Sequence, residues 1–124
     1  MVGFLVVVLA QPANPYFETA RAAHRAFDYG KCLKSADLAS RLEAAPARKA
    51  EIELLWGLCA FELGRRTEAL DHFEVALRLD PAVQLPEVVS PKIAAGFEAV
   101  RERLPPPPPT VEPVVPPLTP GATP

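Results

Sequence analysis

The 124-residue chain has little charge of either sign to spare: 13 basic and 15 acidic side chains leave a net charge of −2. Nowhere do more than two lysines or arginines stand together. Nucleic-acid binding needs a basic stripe that neutralises phosphates, so that class of partner is excluded. Period-two alternation and hairpin turn pairs are also missing beyond residue 10, which argues against sheet architectures. No glycine-rich loop ends in Lys-Ser or Lys-Thr, and His24 and His72 have no matched nucleophile. Glu68 and His72, four apart, share a helix face as a solvated pair without a third metal ligand. Cys32 with either histidine lacks an activating site. The sequence therefore predicts no enzyme, no cofactor, no metal and no small-molecule substrate.

A long hydrophobic run is lacking too. The apolar stretch MVGFLVVVLA is ten residues, whereas a membrane-spanning helix needs about 20. It ends in Val8-Leu9-Ala10 before Gln11-Pro12, with small residues three and one places before the break, as in a cleaved secretory leader. No Lys or Arg precedes Arg21, so the usual positive start is missing; a translation start placed downstream of the true one accounts for that. Residues 1–10 are expected to be a signal peptide, and the chain a periplasmic or envelope-associated protein of a bacterium. A cytoplasmic chain that buries this segment is the alternative. The two cysteines, Cys32 and Cys59, fit either compartment, as small core residues in one and as a pair open to oxidation in the other.

Proline is plentiful but concentrated, with ten of the sixteen in the last twenty residues. Residues 105–124 cannot build a core and are expected to be extended polyproline II where prolines run together. At about 3.1 Å per residue they reach roughly 60 Å, which suits a spacer or tether. The rival reading is a docking peptide, because Arg103, Pro106 and Pro109 stand at R-x-x-P-x-x-P spacing.

Between these ends, residues 11–104 show apolar residues recurring at three and four, the mark of an all-α domain. Asn14-Pro15 and Ser90-Pro91 each offer a cap followed by proline at the first helical position. The spacing predicts helices over about 15–27, 29–42, 48–63, 67–79 and 91–104. Gly64 suits the left-handed position that ends the third, and Pro81 ends the fourth. The fifth carries a narrow stripe of Ile93, Phe97, Val100 and Leu104, fit to pack against one neighbour.

Residues 50–81 repeat a known pattern without a gap. Gly57 stands at a small-residue position, Gly64 at a turn, and Ala69, Phe73, Ala76 and Pro81 give A-x3-F-x2-A-x4-P. These six residues resemble the tetratricopeptide repeat (TPR), a pair of antiparallel helices that stacks on further pairs. Glu53, Trp56 and Ala60 depart from it, where the family often has Trp, Leu and Tyr. A shift of 37 residues lays Tyr16, Ala20, Ala23, Cys32, Ala36 and Ala39 on the same slots, giving a degenerate first repeat with three extra residues around 45–49.

The resemblance implies two repeats and a capping fifth helix. Gly57, at about 1 kcal/mol less helical than alanine, then opens a notch into which the second helix sets Ala69. It also implies a partner-binding groove of Phe17, Arg21, His24 and Arg25 in the first repeat and Leu54, Leu58, Phe61 and Glu62 in the second. That mixture fits a peptide or a helix of a partner protein. The alternative covers Leu54, Leu58 and Phe61 with the N-terminal segment or a partner subunit. Cys59 falls on a slot facing the preceding repeat, so a Cys32–Cys59 disulfide is implied. Two repeats are fewer than the three such stacks usually need, which points to self-association or docking. The expected role is protein–protein scaffolding, or else structural assembly within a larger complex without a groove-bound peptide.

Overall fold

The computed structural model describes residue 3 and residues 13–106. The rest of the expected leader and of the proline-rich tail lies outside the described residues. Five helices follow one another: α1 (Pro15–Arg25), α2 (Tyr29–Leu42), α3 (Pro46–Glu62), α4 (Arg66–Leu79) and α5 (Pro91–Arg103). Among the described residues there is no strand, and no helix is long and apolar enough to cross a membrane. The all-α, TPR-like stack is the architecture observed.

The caps form as their residues dictate. Asn14 accepts from the Phe17 amide and donates to the Ala39 carbonyl, so it starts α1 and ties it to α2. Ser90 accepts from the Ile93 amide at the start of α5. Pro46 takes the first position of α3, so that helix begins two residues before the predicted boundary. The extra connector residues are thus wound into an added N-terminal stretch of α3, because proline at N1 favours helix rather than loop.

The two helix-pair turns are the same turn. Phe27 N donates to His24 O and Asp28 N to Ala23 O; 37 residues later Gly64 N donates to Phe61 O and Arg65 N to Ala60 O. Both are Schellman-type ends with the middle residue left-handed, Phe27 at φ 59° and Gly64 at φ 77°. The degenerate first repeat is therefore in register with the second at the level of individual hydrogen bonds.

Packing divides around α3. On one side Ile52, Leu55 and Cys59 meet Phe17, Ala20, Ala23, Cys32, Ala36 and Ala39 of α1 and α2. On the other, Ala50, Leu54 and Leu58 meet Phe73, Ala76 and Leu77 of α4, Val83, and Ile93, Phe97 and Val100 of α5. The α3–α4 crossing is close at Gly57, as expected, but its occupant differs. A Cβ there would lie 2.6 Å from two carbons of the Phe73 ring and 3.0 Å from the Ala69 carbonyl oxygen. The notch holds the Phe73 ring, with Ala69 contributing backbone, because one turn along the helix places the larger residue over the gap.

Two polar devices join the repeats. Glu53, buried, accepts from the Ser40 hydroxyl at 2.9 Å and lies 2.7 Å from His72 Nδ1, so it links α2, α3 and α4. Trp56 stacks on the His72 ring at 4.0 Å. Glu53 and Trp56, two of the departures from the repeat pattern, thus act together around His72. Cys32 and Cys59 form a disulfide between α2 and α3, with both residues fully buried.

Helix α5 packs on the α3–α4 pair as the expected cap, with Ile93, Phe97 and Val100 in the core, and its direction is set by two contacts. Leu70, early in α4, lies 3.2 Å from a Cβ placed on Gly96, whereas Arg101 reaches the Val83 carbonyl beyond the end of α4. So α5 runs in the same sense as α4. A tight turn would have reversed it. The connector from residue 80 to 90 can extend for about 36 Å, longer than the roughly 21 Å of a 14-residue helix, and carries the chain back to where α4 began.

Gly57→Ala should lower the melting temperature although it favours an isolated helix: overpacking costs about 1–3 kcal/mol, and about 1 kcal/mol moves a domain of this size by roughly 4–8 °C. A higher melting temperature would show that the Phe73 ring has room to yield. Cys32→Ser should cost about 3.5 kcal/mol on the loop-closure relation for a separation of 27 residues, read from urea unfolding against the oxidised parent, and the reduced parent should lose a similar amount. Glu53→Ala should cost about 2–4 kcal/mol by leaving Ser40 and His72 without their shared acceptor. Glu53→Gln, which keeps an acceptor for Ser40, should cost less in the same titration.

Candidate protein-interaction face

The concave row implied by the repeat divides into a covered half and an open half. Leu54 and Leu58 are 5% and 3% exposed; both lie in the core cluster with Val83, Ile93 and Phe97. Phe61 is half-buried on the same cluster, its ring 3.5 Å from a Cβ placed on Gly96. Spacing had put these three on one face, and it is α5 with its connector that packs there. A partner subunit or the N-terminal segment is not needed to cover them.

The half on α1 remains accessible, with one exception. Phe17 is buried, capped by the Arg21 guanidinium 4.0 Å from its ring centroid. Arg21 also pairs with Glu18 at 3.5 Å and with Glu51 of α3 at 3.6 Å. These pairs are exposed and contribute little to stability, so a partner's charges can compete for them at small cost. His24 is half-buried and tilted against Tyr29 at 6.1 Å; Arg25 and Glu62 are exposed. An open recess of about 420 Å³ lies here, lined among others by Asn14, Phe17, Glu18, Arg21, Arg48 and Glu51.

The Ser40, Glu53 and His72 network has the carboxylate between the hydroxyl and the ring, so the histidine cannot take a proton from the serine. Among the described residues no group of three His, Cys, Asp or Glu side chains is placed to hold a metal ion. Burial raises the Tyr29 phenol above its ordinary range, and the Glu62 carboxylate adds to the shift.

Phe27 was absent from the sequence-derived row and stands out in the structure. It is 77% exposed and holds a left-handed backbone, which costs a non-glycine residue about 1–2 kcal/mol. Tyr29 meets its ring edge-on at 6.3 Å and 75°. The signal was present in the 37-residue frame, which sets Phe27 on the slot of Gly64.

Comparison with known proteins agrees with this geometry over part of the chain. Residues 50–83 match the family model of the tetratricopeptide repeat, about a quarter of the whole. No curated protein and no solved structure matches the chain. The matched segment takes in α4 and all but the first turn of α3; α1, α2 and α5 lie outside it. Such repeats are in general protein-interaction units, and residues 50–83 are similar to one of them.

Proposed function

We propose that the chain is a protein-interaction scaffold of the bacterial cell envelope that holds a peptide or helix of a partner protein on its concave face. The observation that carries this reading is the open row on α1. Arg21 lines a recess with Phe17, Glu18 and Glu51, and His24 and Arg25 follow it one turn further along α1. An apolar ring among mixed charges fits a segment with a small apolar anchor and acidic neighbours, the mode by which a groove reads a helix or an extended peptide. Export is supported by the leader-like residues 1–10 and by the joined cysteines, since disulfides persist in oxidising compartments.

A second reading, an assembly accessory within a larger complex, draws on a specific observation as well. The apolar half of the groove is already filled by α5 and its connector, so this chain can complete a stack without holding a peptide. Affinity purification from the native host separates the two readings. Parent protein is expected to retain a specific companion, and Arg21→Gln with Arg25→Gln, which removes the charges without setting a new carboxylate against Glu18 and Glu51, to release it while helicity stays the same. Retention of that companion by the double variant would reject the concave face in favour of the accessory. Intact mass of the same sample reports the mature N-terminus and the loss of two hydrogens expected for the disulfide.

A further inference from the structure

The first turn keeps an aromatic residue where its counterpart keeps glycine. Phe27 and Gly64 close their helices with the same pair of hydrogen bonds and both lie in the left-handed region. Glycine adopts that backbone freely and phenylalanine does not. Packing does not compensate, since the Phe27 side chain is 77% exposed. Tyr29 stands edge-on to it at 6.3 Å and His24 leans on Tyr29 at 6.1 Å, so three rings follow one another on the surface. The Glu62 carboxylate, itself exposed, acts on Tyr29 from the neighbouring turn.

An open row of rings beside a carboxylate has a definite chemical complement. Prolines in the polyproline II helix lay their rings on aromatic side chains with little entropy to lose, and a nearby cation pairs with the acid. This chain carries such a ligand: Arg103, Pro106 and Pro109, with prolines at every position from 105 to 109. Its own copy cannot deliver it. Arg101, Leu104 and Pro106 line a recess with Leu77 and Pro81 at the end of α4, whereas Glu62 and Phe27 lie at the turns where α4 begins. The 14 residues of α4 put about 21 Å between the two levels.

We infer that Phe27, Tyr29 and Glu62 of one copy dock the Arg103–Pro109 segment of a second copy. Prolines 106 and 109 pack on the Phe27 and Tyr29 rings, and Arg103, exposed at the end of α5, pairs with Glu62. The donating and accepting surfaces differ, so the contact is head-to-tail and propagates from copy to copy unless a ring closes. It goes beyond the concave-face reading and uses different residues, so either stands if the other fails.

Sedimentation velocity of the full chain over a concentration series is the test. The parent should gain mass with concentration. Phe27→Gly should stay monomeric while melting at or above the parent temperature, because glycine relieves the left-handed backbone; this separates lost docking from lost folding. Pro106→Ala with Pro109→Ala should also stay monomeric. Mixed together, the two variants should give one-to-one dimers and nothing larger, since each retains one intact surface. A parent that remains monomeric, a Phe27→Gly variant that associates like the parent, or a mixture that does not pair would each overturn the inference. None of these outcomes bears on capture of a partner through Arg21 and Arg25.

Discussion

The fold depends on one missing methyl group. Because Gly57 has no side chain, the Phe73 ring of α4 lies against the α3 backbone and remains fully buried. Phe97 of α5 meets the same ring edge-on, 5.7 Å between centroids. The seat of α5 is thus inherited from the α3–α4 crossing, and α5 in turn decides that Leu54 and Leu58 belong to the core. A gap left by one hydrogen in place of a side chain therefore controls which part of the concave row a partner can reach. Close packing transmits such a choice because side chains in a filled interior have few alternative positions.

The two repeats are held by different means. The second is cemented by large apolar groups, among them Phe73, Phe97, Ile93 and Leu77. The first offers mainly alanine: Ala20, Ala23, Ala36 and Ala39 are all buried, but each removes little apolar area from water. What compensates is covalent and polar. The Cys32–Cys59 bridge spans α2 and α3, Ser40 donates to Glu53, and Asn14 ties the start of α1 to the end of α2. A degenerate sequence keeps its place in the stack because bonds of fixed geometry substitute for bulk.

Much of this was legible in the sequence, and the limits have physical causes. Caps were readable at Asn14, Ser90 and Gly64 because each satisfies a local need that no distant residue alters. Gly57 was readable as a close approach, yet A-x3-F supplies two candidates to fill the gap, and only three dimensions show that Phe73 does so. The spacing of Leu54, Leu58 and Phe61 fixed their common face without saying what packs there, since the direction of α5 depends on how far a connector climbs. Glu53 and Trp56 looked like separate departures until His72 joined them. Phe27 carried no local signal at all; its meaning comes from comparison with Gly64 in the other repeat.

Helix α3 is a party wall. Ile52, Leu55 and Cys59 face one apolar compartment, and Leu54 and Leu58 the other, so the same rod of backbone bounds two interiors. If either compartment comes apart, the wall is stripped on that side and the remaining half loses its support. The nearest-neighbour coupling that holds stacked repeats together is here carried by one helix whose two sides belong to different interiors.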